Sequence, residues 1–112
     1  MDSTRQNKIA RLIQKDLGEI LLEESRDYFR NSILSITKVR ISPDLSIARV
    51  YVSIYTPDDP KEVLEKIRKR AGEIRGKLGH RVAKQLRIVP TLTFFHDDSI
   101  EYSQRIDELL KS

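Results

Sequence analysis

The segment from Lys61 to Arg87 concentrates the positive charge of this chain. It contains ten lysines and arginines against three glutamates, a local net charge of +7, whereas the whole chain of 112 residues carries +4. The ten cations are Lys61, Lys66, Arg68, Lys69, Arg70, Arg75, Lys77, Arg81, Lys84 and Arg87. Clustered ammonium and guanidinium groups bind phosphate oxygens, so the segment predicts contact with a polyanion such as RNA.

The apolar residues of this segment predict that its cations lie on a helix. Asp59 can serve as the N-cap, and Pro60 suits the first helical position. An apolar stripe at helical spacing follows, formed by Val63, Leu64, Ile67, Ala71, Ile74, Leu78 and Val82. Gly72 and the two glycines that follow it disfavour one straight helix, so a kink is expected at Ala71-Gly72.

At about 100° per residue, the cations fall on two edges of this helix. Lys66, Arg70, Lys77, Arg81 and Lys84 share one edge, and Arg68 and Arg75 flank the other side of the apolar stripe. We infer a ridge of cations that can follow an RNA backbone. The alternative is a solvated helix face, which usually carries acids among its bases. After Glu73, no acid follows until Asp97.

Gly76-Lys77-Leu78-Gly79 allows a second interpretation of the same segment. It has the GXXG pattern of a loop whose backbone amides bind phosphate, with Lys77 beside them. Leu78, however, lies four residues after Ile74 and four before Val82, which places it on the buried stripe. The spacing therefore favours a helix that continues through these glycines.

Residue types suited to catalysis or metal binding are few. The chain has no cysteine and two histidines. His80 lies among cations that disfavour its protonation, so we expect it to face RNA rather than act as a general base. His96-Asp97-Asp98 has ligand types for a hard metal but stands where a helix cap is needed. With no Walker loop either, we expect no catalytic activity, no metal and no cofactor.

The rest of the chain supplies the elements that position the basic segment. A first helix carries the stripe Ile9, Leu12, Ile13, Leu17, Ile20 and Leu21. Strands at 36–41 and 47–54 flank the turn Ser42-Pro43-Asp44-Leu45 and form an antiparallel hairpin. A third strand is expected at 91–95, before a short C-terminal helix capped by Asp97, Asp98 or Ser99. This is an α+β, type II KH-like order of elements with a three-stranded sheet, in one domain over residues 1–112.

The sheet shows no clear platform for stacking bases. Tyr51, Tyr55, Phe94 and Phe95 are the candidates, but strand alternation places some of them in the core. Recognition should therefore depend on phosphates and shape more than on bases.

Several segments are more specific than the order of elements. They are Ile9-Ala10-Arg11-Leu12-Ile13-Gln14-Lys15-Asp16-Leu17, Ser42-Pro43-Asp44-Leu45-Ser46, Ala48-Arg49-Val50-Tyr51-Val52-Ser53, Gly72-Glu73-Ile74-Arg75, Leu78-Gly79, Leu86-Arg87-Ile88-Val89-Pro90-Thr91-Leu92-Thr93-Phe94 and Asp97-Asp98-Ser99. In this order, and over nearly the whole chain, they resemble the ribosome-binding factor A family of bacterial small-subunit assembly factors.

The resemblance implies a KH-like fold and a role without catalysis. It implies binding to the immature 30S subunit and its 16S rRNA, assistance in late rRNA maturation including 5′-end processing, a cytoplasmic location and an association with growth in the cold. In this family an Ala-x-Gly signature at a helix kink replaces the GXXG loop. Here the matching positions read Arg70-Ala71-Gly72, so the alanine lies one place late. The expected RNA-binding residues are Lys66, Arg68, Arg70, Arg75, Lys77, His80, Arg81, Lys84 and Arg87.

Two classes of function remain open at this point. The first is an assembly factor that binds small-subunit rRNA as a monomer, with no membrane association. The second is a protein-interaction module whose acidic tail docks a basic ribosomal protein. The acids of that tail are Asp97, Asp98, Glu101, Asp107 and Glu108.

Overall fold

The computed structural model describes residues 4–97, which contain three helices and three strands. Helix α1 is Thr4–Tyr28, strand β1 is Ile33–Ile41, β2 is Ile47–Tyr55, α2 is Pro60–Lys69, α3 is Ala71–Val82 and β3 is Thr91–His96. The predicted α+β class and the order α–β–β–α–α–β are confirmed. The helix predicted after Asp97 lies outside the described residues. None of the helices in this range is long and apolar enough to cross a membrane.

The three strands form one sheet in the order β1-β2-β3. The predicted hairpin is present, since β1 and β2 pair in antiparallel fashion. Its turn is closed by the Asp44 carboxylate, which accepts hydrogen bonds of 2.7 Å from the hydroxyls of Ser42 and Ser46. β3 runs parallel to β2. A parallel pair needs a long crossover connection, and α2 and α3 provide it.

Strand β1 contains a bulge that simple alternation does not predict. Ile36 pairs with Val52, but Lys38 already pairs with Tyr51, so Thr37 is an extra residue on this strand. Residues before and after the bulge therefore keep their apolar side chains on the same face. Lys38 consequently faces away from the core.

One face of the sheet packs against all three helices in a continuous core. Its fully buried members include Ile13, Leu17 and Leu21 of α1, Val50, Val52 and Ile54 of β2, Ile67 of α2, and Ile74 and Leu78 of α3. These are the helical stripes and the strand positions that the sequence periodicity selects. The opposite face of the sheet carries the exposed and half-buried residues of the alternate register.

The helix break lies at Arg70, one residue before the kink predicted at Ala71-Gly72. Arg70 has φ −96° and ψ 5° and separates α2 from α3, whereas Ala71 already belongs to α3. The break does not depend on the conformational freedom of glycine. No glycine in the described range has positive φ, and a Cβ added at Gly72 would meet nothing within 4 Å. The break instead occurs where the Arg70 side chain finds its partners on α1.

Gly76-Lys77-Leu78-Gly79 lies inside α3, and Leu78 is fully buried. The prediction that the helix continues through these glycines is confirmed. The amides of this stretch belong to a helix interior, where they bond to carbonyls of the preceding turn. The GXXG pattern therefore does not form a phosphate-binding loop in this structure.

We predict that Gly76→Ala stabilises the protein by about 1 kcal/mol, because Gly is that much less favourable than Ala in a helix interior. A Cβ at Gly76 would enter open space. Urea unfolding measures the change. Gly18→Ala in the interior of α1, where a Cβ also meets nothing within 4 Å, is the matched reference and should give a similar gain. A loss of stability in Gly76→Ala alone would show that residue 76 is not helical in solution.

Candidate nucleic-acid interface

The most constrained charged group in the described chain is Glu24, whose side chain is completely buried on α1. Arg70 donates from Nε to Glu24 Oε2 at 2.6 Å and from Nη2 to Oε1 at 3.3 Å. Lys77 donates from Nζ to Glu24 Oε1 at 2.9 Å. Two members of the predicted cation ridge, one at the helix break and one on α3, thus converge on a single carboxylate.

The surroundings of Arg70 complete this cluster. The guanidinium carbon lies 3.5 Å from the centroid of the Tyr28 ring, a cation–π contact at the end of α1. Arg70 Nη2 also lies 2.7 Å from the Glu73 carboxylate. With Glu24 and Glu73 ionised, the cluster of Glu24, Arg70, Glu73 and Lys77 carries no net charge.

The pKa of Glu24 results from two opposing effects. Burial raises the pKa, because the ionised carboxylate loses its hydration. Hydrogen bonds from Arg70 and Lys77, together with their positive charge, outweigh burial and hold the pKa of Glu24 below its ordinary value. The same hydrogen bonds raise the pKa of Arg70 and of Lys77. All three groups are therefore charged at neutral pH.

Arg81 makes a second link between α3 and α1. Its Nε lies 3.3 Å from Asp16 Oδ1, and its Nη2 pairs with the Glu19 carboxylate. Three cations of the predicted ridge are therefore paired with acids of α1. The prediction of a cation ridge considered only the acids of the basic segment itself. The acids that neutralise these cations belong to α1.

Arg68 and Arg75 lie on the opposite edge of the helix pair, as the helical arithmetic predicted. Arg68 donates from Nε and Nη2 to the Phe94 carbonyl oxygen, at 3.1 and 2.9 Å, and also pairs with Glu65 at 3.0 Å. Arg75 donates to the carbonyl oxygens of Pro90, at 3.1 Å, and of Val89, at 2.7 Å. These bonds occupy backbone acceptors at β3 and at its entry. Carbonyl oxygens satisfy the donors of Arg75 without cancelling its charge.

Four of the predicted RNA-binding residues face solvent without a partner in the described part of the chain. They are Lys66 of α2, His80 of α3, and Lys84 and Arg87 of the connection to β3. Lys61 and Lys69 are exposed as well. The nine predicted residues therefore divide into five that are bonded to α1, to β3 or to the entry of β3, and four exposed residues that are available to a ligand.

Glu24 is the important residue that the sequence reasoning missed. It follows Leu17 by seven residues, Ile20 by four and Leu21 by three. These spacings place it on the buried stripe. An acid on such a stripe needs a buried partner, which is the signal that could have identified the cluster.

Among residues 4–97, no three histidine, aspartate or glutamate side chains are placed so that they could hold a metal ion. Asp97 Oδ2 accepts a hydrogen bond of 2.5 Å from the Thr37 hydroxyl. His96 Nε2 is buried and has no hydrogen-bond partner among the described residues. Asp98 lies outside the described residues.

We predict that Glu24→Gln lowers the free energy of unfolding at pH 7 by about 2–3 kcal/mol, because Arg70 and Lys77 lose their counter-ion. The lowered pKa of Glu24 means that its contribution is present above its ordinary pKa of 4.5 and is lost as the pH falls through the lower value of the folded state. The difference between wild type and variant should be full at pH 7 and smaller at pH 3, which lies below the ordinary pKa. Urea unfolding at both pH values measures it.

Glu23→Gln is the matched control for this prediction, since Glu23 is the exposed neighbour of Glu24 on α1. It should leave stability within about 0.5 kcal/mol of wild type. Equal effects of the two substitutions would show that the buried cluster contributes nothing specific.

Comparison with known proteins agrees with this architecture. Residues 5–110 match the family model of ribosome-binding factor A. The ribosome-binding factor A of Cytophaga hutchinsonii is 46% identical over 110 residues, which cover 98% of this chain and 83% of the relative. The solution NMR structure of a Thermotoga maritima protein assigned to ribosome-binding factor A aligns with a TM-score of 0.66 and 29% identity, covering 90% of this chain and 94% of that one.

A Thermus thermophilus ribosome-binding factor A has the same fold. Its homology model, fitted into a cryo-EM map of a 30S complex, aligns with a TM-score of 0.62 and 24% identity over 78% of this chain and 89% of that chain. The family consists of ribosome-binding factors and not of enzymes. On the family match and the identity over almost its whole length, this chain belongs to the ribosome-binding factor A family.

Proposed function

We propose that this protein binds the immature 30S subunit in the cytoplasm and assists the late maturation of its rRNA without catalysis. The observation that carries the proposal is the set of exposed cations left on α2, α3 and the following connection after the paired ones are set aside. Lys66, Lys84 and Arg87 face solvent there, and Arg75 keeps its charge. The Thermus thermophilus relative in its 30S complex supports the choice of the small subunit as partner.

The mechanism we propose is differential affinity. A protein that binds one rRNA conformation better than another shifts the population toward the first, with no bond made or broken. Exposed lysines and arginines contact phosphates and hold the protein in register on the RNA. Late steps such as 5′-end processing would then act on an rRNA that is held in the competent conformation. The protein would act as a monomer in this scheme.

The alternative function is docking on a ribosomal protein through an acidic tail. Of the five acids of that tail, Asp97 lies within the described residues. Asp97 is the first acid of that tail, and its carboxylate is held by the Thr37 hydroxyl. No observation in the described range favours this alternative over RNA contact. The two make different predictions for the loss of exposed positive charge, and the following experiment separates them.

We predict that charge reversal of Lys66, Lys84 and Arg87 to Glu weakens binding to free 30S subunits by about tenfold or more. Each lost phosphate contact should also reduce the slope of log affinity against log salt by about 0.7–0.9. Co-sedimentation with free 30S subunits over a range of salt measures both quantities. The melting temperature should stay close to that of wild type, because these side chains have no partner in the described fold.

Lys8, Arg11 and Lys15 provide a matched control, since they are exposed cations of α1 with no acidic partner among residues 4–97. Their reversal to Glu makes the same change in net charge and should weaken binding far less. Reversal at Lys77 or Arg81 is unsuitable here, because both hold α3 against α1. Undiminished, salt-independent binding by the Lys66, Lys84 and Arg87 variant would reject the RNA contact and favour docking on a ribosomal protein.

A further inference from the structure

The sheet face turned away from the helices carries an ordered set of side chains that the proposed function does not use. Tyr51 of β2 and Phe95 of β3 are register partners, and their rings stack with centroids 5.4 Å apart and an angle of 25° between the planes. Lys38 of β1 is the partner of Tyr51 on the other side. Lys38, Tyr51 and Phe95 therefore form one row across the sheet, with the two rings half-buried and the lysine exposed.

The next row on this face consists of Arg40, Arg49 and Thr93, which are also register partners. Arg40 and Arg49 are directly opposite each other and both exposed. Like charges in this position destabilise a sheet. In the described range neither arginine, nor Lys38, forms an ion pair that would offset the repulsion. Among residues 4–97, the Asp97 carboxylate lies close to this face and accepts a hydrogen bond from the Thr37 hydroxyl.

Two stacked rings beside three cations form a surface whose chemistry matches single-stranded nucleic acid. A base presents a flat face that stacks on an aromatic ring, and the phosphate that follows it needs a cation. Successive rows on one face of a strand are about 6.6–6.8 Å apart, from a rise of 3.3–3.4 Å per residue, so the arginine row lies about one extended nucleotide from the rings. A duplex keeps its bases paired and cannot present their faces to the rings.

We propose that this face is a stacking platform for single-stranded RNA. Tyr51 and Phe95 receive a base, and Lys38, Arg40 and Arg49 contact the phosphates on either side of it. The repulsion between Arg40 and Arg49 is relieved when a phosphate lies between them. The proposal goes beyond the proposed function because it concerns the opposite side of the sheet from α2 and α3. It does not require 30S binding.

The test uses the full-length, ¹⁵N-labelled protein titrated with a ten-nucleotide RNA that has no self-complementarity, and separately with the same RNA annealed to its complement. Amide signals of Arg49, Tyr51, Thr93 and Phe95 should shift on addition of the single strand. The duplex should bind this face at least tenfold more weakly. Equal binding of both forms, shifts confined to α2 and α3, or no binding at millimolar RNA would overturn the platform.

Two variants test the chemistry, with fluorescence anisotropy of a labelled single strand as the readout. Tyr51→Leu with Phe95→Leu keeps apolar bulk but removes the rings, and should weaken binding by about tenfold. Arg40→Gln with Arg49→Gln should weaken binding, lower its salt dependence and raise the melting temperature, because the repulsion between the two arginines disappears. Weaker binding together with higher stability in the arginine variant distinguishes a ligand site from a structural role. If the ring variant does not fold, the arginine variant alone decides the outcome.

Arg11→Gln with Lys15→Gln on α1 is the control for the same loss of charge on another exposed surface, and it should bind the single strand like wild type. Wild-type affinity in both platform variants would overturn the proposal. So would platform variants that lose 30S binding but keep oligonucleotide binding, since a protein partner would then occupy this face. The variants of α2 and α3 described above test the proposed function separately, so each can fail without the other.

Discussion

The burial of one carboxylate organises the helical layer of this protein. Glu24 lies on the apolar stripe of α1, where an unpaired charge would cost several kcal/mol, so two cations must reach it. Arg70 does so from the junction of α2 and α3, and Lys77 does so two turns further along. Because the stripes of both helices must also pack on the sheet, the chain has to change direction at Arg70. The position of the break follows from this constraint and not from the glycines nearby.

The same constraint divides the basic residues into two chemical classes. Arg70, Lys77 and Arg81 are paired with acids of α1, and their charges are largely cancelled within the fold. Exposed cations such as Lys66 and Lys84 have no such partner in the described part of the chain. A net charge of +7 counted along the segment therefore overstates the charge available to a polyanion. Under the proposed function, affinity for RNA would depend on the second class, while the first class keeps the helices in place.

Periodicity in the sequence was sufficient for the fold class, the order of elements, the buried stripe through Leu78 and the placement of Arg68 and Arg75 on the opposite edge of the stripe from the other cations. It was not sufficient for contacts between distant elements. A helical wheel describes one helix, so it could not show that Glu24 lies opposite Arg70. The bulge at Thr37 and the parallel register of β3 arise from pairing between strands. Without that register, Tyr51 and Phe95 were separate aromatic residues, and the sequence offered no reason to place them together.

The two faces of the sheet bear on how an assembly factor can discriminate between RNA conformations. Phosphates are present in every rRNA conformation, and a ligand with equal affinity for two states shifts neither population. Under the proposed function, cations on α2 and α3 would therefore supply attraction to RNA but little preference for one conformation. A surface that stacks an unpaired base binds only where the base is unpaired, and maturation consumes such sites as helices form. Tyr51 and Phe95 would provide the preference for the immature state. When the exposed base becomes paired, this contact would be lost and the protein would dissociate.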